Sequence, residues 1–161
     1  TMSTIVLFVF LLVSVAANTG RVYEAAEGYK APLFTIEERD TTLSLAELKG
    51  HYVLVNFWAS SDAESRLRAS EYDSAAGELA EGRVTSLQVN LDRSERLFSE
   101  IVRMDGLDAK TQIHVSDNAA ADIAKAYRLK HGFNSFLIDP EGRIVETNPS
   151  VATAVAVASA R

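Results

Sequence analysis

The segment from Tyr52 to Arg66, YVLVNFWASSDAESR, constrains the fold of this chain more than any other. Val53, Leu54, Val55 and Phe57 make an apolar run interrupted only by Asn56. A strand with one wet face would alternate, so this pattern predicts a central strand covered on both faces. The residues after Trp58 and Ala59 are small and polar, and they read as a tight turn. Ser61-Asp62-Ala63-Glu64 then fits the S-x-x-E capping box. Ser61 is the expected N-cap, and Glu64 reaches back to it. Asp62 adds negative charge to the first turn, where the helix dipole favours it. The helix is predicted over residues 61–80, with Leu67, Ser70 or Glu71, Ser74 or Ala75, and Leu79 inward, and Gly82 closing it.

The rest of the chain continues this strand–helix alternation. Ala31-Pro32-Leu33-Phe34 opens the folded part, and Ser44, with Glu47 three residues on, reads as a helix start that Gly50 stops. Residues 84–90 form the next strand. Residues 92–105 form a helix with Leu97, Phe98, Ile101, Val102 and Met104 as its apolar stripe. A short strand follows at 111–115, then a helix at 118–129 with Ile123, Ala126 and Tyr127 inward. Residues 133–139 make a strand, Asp139-Pro140-Glu141-Gly142 a turn, 143–146 the returning hairpin strand, and 150–160 a last helix. At 161 residues and 47% hydrophobic content the chain can bury one core. The expected class is α/β: a mixed central sheet with helices on both faces.

The amino-terminal stretch differs in kind. Residues 3–17, STIVLFVFLLVSVAA, carry no charge and are short for a bilayer span of about 20 residues. They suit the apolar region of a signal peptide, with Val15-Ala16-Ala17 supplying small residues for cleavage, or a short anchor. Residues 18–30 read as a linker and residues 31–161 as the domain. Export to the periplasm or cell envelope is therefore expected, with any membrane contact confined to that first segment. The net charge of −6 argues against a nucleic-acid surface, which needs clustered Lys and Arg, and favours neutral or basic protein partners.

Two blocks, Val53–Ala59 and FLIDPEG from Phe136 to Gly142, resemble the extracytoplasmic TlpA/ResA-type branch of the thioredoxin superfamily, related to the AhpC/TSA proteins. The likeness spans residues 32–145 and implies the thioredoxin-like fold. The same family carries W-A-S-W-C-x-x-C-R after the strand. This chain has Trp58, Ala59, Ser60, Ser61, Asp62, Ala63, Glu64, Ser65 and Arg66, and it contains no cysteine at all. Asp62 stands at the attacking thiol and Ser65 at the resolving one. Dithiol exchange needs a thiolate at a helix N-terminus, and cysteine peroxidase chemistry needs one too, so both are excluded. The family's cis-proline falls at Phe133, beside Asn134, where a trans bond is expected.

The resemblance thus marks Trp58, Ser61, Asp62, Ser65, Phe133 and Asn134 as the family's active-site positions and the candidate face for binding a protein or peptide. Against that, Asp62 and Ser65 read as helix cap and surface residues, and Trp58 as core. A non-thiol enzyme on the same fold is the competing class. A Ser60, Asp62 and His114 triad lacks the G-x-S-x-G elbow. His51, His114 and His131 lack metal-ligand spacing, and no cofactor or metal is expected.

Overall fold

The computed structural model describes residues 22–38 and 40–161. A hairpin of β1 (Thr35–Glu38) and β2 (Thr41–Ser44) precedes the main sheet. The sheet holds β3 (Tyr52–Trp58), β4 (Val84–Asn90), β5 (Gln112–His114), β6 (Ser135–Ile138) and β7 (Ile144–Thr147) in the order β5-β4-β3-β6-β7. β3, β4 and β5 run parallel, whereas β6 and β7 are antiparallel to their neighbours. The helices are α1 (Ala63–Ser74), α2 (Ala76–Glu81), α3 (Glu95–Met104), α4 (Asp117–Ala126) and α5 (Val151–Ser159). This is the expected mixed sheet with helices on both faces.

All seven residues of β3 are buried, because the strand sits at the centre with a core on each side. On one face Val53, Val55 and Phe57 pack with Leu87, Val89, Phe136 and Ile138 against Phe34, Ile36, Ile123, Tyr127 and Leu129. Phe57 and Tyr127 approach to 4.5 Å between ring centroids, and the Tyr127 hydroxyl donates to the Pro32 carbonyl at 2.6 Å. On the other face Tyr52 and Leu54 meet Tyr72, Leu79, Leu137 and Ala154, while Trp58 meets Ala69, Ile101, Val102 and Leu107.

Several boundaries and faces differ from the sequence reading. The helix expected over 61–80 is two helices, broken at Ala75 (φ −101°, ψ 15°). Its buried stripe is Ser65, Ala69 and Tyr72, spaced i, i+4, i+7. Leu67 lies on the opposite side and is exposed, since phase and not hydrophobicity decides which residue meets the sheet. Small side chains at 65 and 69 let α1 lie close to β3. On α3 the buried stripe is Ile101 and Val102 with Phe98 partly covered, and Leu97 and Met104, a quarter turn away, are exposed. That helix starts at Glu95, capped by Ser94, rather than at 92. Ala126 is exposed, and residues 129–131 form a separate 3-10 turn after α4.

The Leu45–Leu48 turn is also 3-10, and Ser44 makes no side-chain cap bond there. β6 begins at Ser135, not at 133. The signal-peptide segment lies outside the described residues. Residues 22–30, within the stretch read as a linker, are docked on the domain: Gly28 N donates to Ile144 O and Ile144 N to Tyr29 O, each at 2.9 Å. No helix among the described residues is long and apolar enough to cross a membrane.

Candidate functional site

The carboxyl ends of β3, β4 and β5 and the amino end of antiparallel β6 all lie at one end of the sheet. The loops there contain Ala59–Asp62, Leu91–Ser94, Val115–Ser116 and Phe133–Asn134. In open α/β sheets this end is where ligands bind.

Asp62 is the N-cap of α1, in place of the expected Ser61. Its Oδ1 accepts the Ser65 N–H at 2.8 Å, and its own N–H donates to Ala59 O at 3.1 Å. Both S-x-x-E and D-x-x-S fit a cap, and the chain uses the one set a residue later. Ser61 is left exposed. Ser65 is 0% exposed, so it is not the surface residue the sequence suggested. Its hydroxyl donates to the Asp62 carbonyl at 3.1 Å and accepts from Ala59 N at 3.3 Å. Beneath the turn the Asn56 amide donates to Ser65 O at 3.3 Å and to Gln88 Oε1 at 3.1 Å.

A residue that the sequence did not single out organises the other side of the turn. Asp92, at the end of β4, accepts from the Ser60 N–H at 2.9 Å, from the Ser60 hydroxyl, and from Asn90 Nδ2 at 2.9 Å. Its backbone carbonyl takes the His114 Nε2 proton at 2.7 Å. Ser60 and His114 therefore converge on Asp92 and not on Asp62, and the triad considered from sequence does not form. A carboxylate does touch the Ser60 hydroxyl. A carboxylate is too weak a base to take the proton of a serine hydroxyl unaided. The contact is a latch between two loops.

Phe133 and Asn134 are held to the same end. The Arg68 guanidinium of α1 donates to the Phe133 carbonyl. Phe57 N donates to Asn134 O at 3.2 Å, and Asn148 Nδ2 to Asn134 Oδ1 at 2.9 Å. No peptide bond among the described residues is cis. Trp58 is fully buried, its indole N–H donating to Gln112 Oε1 at 3.1 Å, so it presents no surface to a partner. The structure thus brings Asp62, Ser65, Phe133 and Asn134 to one end, with Arg68 joining the two segments.

Beside them lies a cleft of about 480 Å³, walled by Phe133, Leu91, Asp92, Arg93, Asp117 and the alanines of α4. Asp92 and Arg68 escaped notice in the sequence because neither belongs to a motif; only the register of β4 and the approach of α1 give them their roles. Among the described residues no three His, Asp or Glu side chains cluster as metal ligands.

The sequence profile of the AhpC/TSA family matches residues 28–147. The chain belongs to that family. Its structure is similar to a thioredoxin-like protein from Parabacteroides distasonis, with 30% identity and a TM-score of 0.69 over 84% of this chain and 96% of that one. It is also similar to the thioredoxin domain of a thiol-disulfide oxidoreductase from Bacteroides vulgatus, at 26% identity and TM-score 0.66 over 82% and 94% of the two chains. A thiol:disulfide interchange protein from Bacteroides sp. gives 25% identity and TM-score 0.68 over 82% and 87%. No curated protein matches the chain. This AhpC/TSA member keeps the thioredoxin-like fold and has no cysteine.

Proposed function

We propose that this protein is an exported, non-catalytic member of its family that binds a protein or peptide partner at the cleft beside the Asp62 turn, between Phe133, the Leu91–Arg93 segment and α4. One observation carries the reading. The residues at the two thiol positions are consumed by hydrogen bonds of the fold itself, Asp62 as cap and Ser65 buried beneath it. The adjacent cleft, with Phe133 on its wall, stays open. An extended peptide suits such a groove, through side-chain pockets or by adding to the sheet. Export is supported by the uncharged apolar run at residues 3–17.

The test is affinity capture from a periplasmic extract by the wild-type chain, by Ala121→Arg and by Asp62→Arg. Ala121 is exposed on α4 and lines the cleft, so an arginine there fills it without disturbing the core. Proteins retained by the wild type are expected to be lost with both variants. Identical capture by all three would place the partner elsewhere. Insulin reduction is expected to show no turnover by the unmodified chain.

A further inference from the structure

A second cleft, of about 360 Å³, opens beside the edge strand β5 and shares Ser116 with the first. Gln112 lines it and is 3% exposed. The Trp58 indole N–H can only donate, so it fixes the Gln112 amide with Oε1 toward Trp58. That leaves Gln112 Nε2 as a buried donor without a partner among the described residues. Such a donor calls for an acceptor oxygen.

The same cleft is lined by two acidic residues, Glu37 from β1 and Glu95 from the first turn of α3. Both residues are exposed, neither is in an ion pair among the described residues, and no described Lys or Arg lines the cleft. Two aromatic rings line it: Phe98 stacks on His114 with centroids 5.2 Å apart and planes 20° from parallel. Among the described residues no strand pairs with the outer edge of β5. Val115 N donates to Asn90 O, so the odd-numbered residues of this strand face β4, and the backbone groups of Gln112 and His114 face away from it.

We propose that this cleft receives an arginine of an extended partner polypeptide. The guanidinium lies between Glu37 and Glu95 against Phe98, and a peptide carbonyl that displaces the side chains covering Gln112 Nε2 accepts from it. Arginine fits better than lysine because its planar cation stacks on a ring and pairs with a carboxylate through two donors. The proposal goes beyond the reading above, since it assigns a second cleft to an arginine of the partner.

The test uses the full chain labelled with nitrogen-15, titrated with acetyl-Val-Arg-Val-amide and with the same peptide carrying citrulline, which keeps the shape and loses the charge. The chain has a single tryptophan, and its indole N–H sits on Gln112, so one resolved resonance reports on the site. The arginine peptide is expected to shift that resonance saturably, the citrulline peptide to bind at least tenfold more weakly, and the Glu37→Gln/Glu95→Gln variant to lose at least tenfold in affinity with an unchanged melting temperature. No saturable shift, equal binding of the two peptides, or unaltered affinity of the double variant would overturn it. Ala121→Arg leaves this cleft untouched. If Ala121→Arg abolishes capture from extract while the arginine peptide fails to bind the wild type, the arginine proposal falls and the first cleft stands.

Discussion

Asp62 Oδ1 accepts the Ser65 N–H at 2.8 Å, and the Ser65 hydroxyl donates back to the Asp62 carbonyl at 3.1 Å. The two residues that the sequence resemblance sets at the thiol positions of TlpA/ResA-type proteins thus satisfy each other. The helix N-terminus that would lower a thiol pKa in a redox relative has its free N–H occupied here by the chain's own carboxylate. The turn has become a structural cap, and its worth can be measured as one.

Asp62→Ala should cost about 1 kcal/mol of stability, the usual loss when an N-cap side chain is removed. For a domain of this size that lowers the melting temperature by about 4 °C. Asp62→Ser keeps an oxygen in reach of the Ser65 N–H and should stay within a few tenths of a kcal/mol of the wild type. Thermal melts of the three proteins, followed by circular dichroism, decide it. Equal loss in both variants would mean that the carboxylate's charge, not the cap geometry, does the work.

Restoring the two thiols tests whether the scaffold kept the family geometry. In Asp62→Cys/Ser65→Cys the first sulfur would sit at the N-cap, where the Ser65 N–H now meets the carboxylate, and the second one helical turn on. A disulfide should form under mild oxidation, and the first thiol should titrate below its usual value near 8.5. Mass spectrometry reads the loss of two hydrogens, and alkylation rate against pH reads the thiol. A pair that stays reduced in oxidised glutathione would show that the turn has drifted from its relatives.

Asp92 should matter more to stability than its place in a loop suggests. It is 8% exposed and takes two bonds from Ser60 and one from Asn90, which no other group replaces. Asp92→Ala should cost about 2–3 kcal/mol, since buried donors are left without partners. Ser60→Ala removes one donor from a carboxylate that keeps the rest, and should cost about 1 kcal/mol. Urea unfolding of both variants measures the difference. A Ser60→Ala cost equal to that of Asp92→Ala would mean the latch rests on one hydroxyl.

The sequence made β3 and β6 legible because VLVNFW and FLI are short apolar runs, rich in β-branched and aromatic residues and followed by turn residues, as buried central strands are. It also placed the turn at 59–62, where the run stops. It misplaced the cap by one residue because Ser61 and Asp62 each begin a plausible cap pattern, and only backbone geometry chooses between them. It took Leu67 and Met104 for core because hydrophobicity alone cannot tell which side of a short helix meets the sheet. The buried polar row of Asn56, Gln88 and Gln112 was invisible for a different reason. Asn56 faces Gln88 and Gln88 faces Gln112 only through the register of three parallel strands. Of that row only Gln112 reaches the second cleft, and so no motif announces it.

Arg66 and Asp105 tie the start of α1 to the end of α3 through two parallel bonds of 2.6 Å, Nε to Oδ2 and NH2 to Oδ1. The hydrogen bond from Arg66 holds the Asp105 carboxyl below its usual range, against a smaller opposing effect of burial. The folded protein therefore binds this proton less readily than the unfolded chain, whose Asp titrates near 3.9. The stabilisation is complete above that value and is lost as pH falls through the lower folded one. The pair is partly covered, with side-chain exposures of 31% and 17%, so a contribution of about 1 kcal/mol is expected at neutral pH. Asp105→Asn should lose that amount at pH 7 and little at pH 2.5. Urea unfolding of both proteins at the two pH values gives the answer. A gap between them that persists undiminished in acid would assign the loss to packing at the end of α3, not to the ion pair.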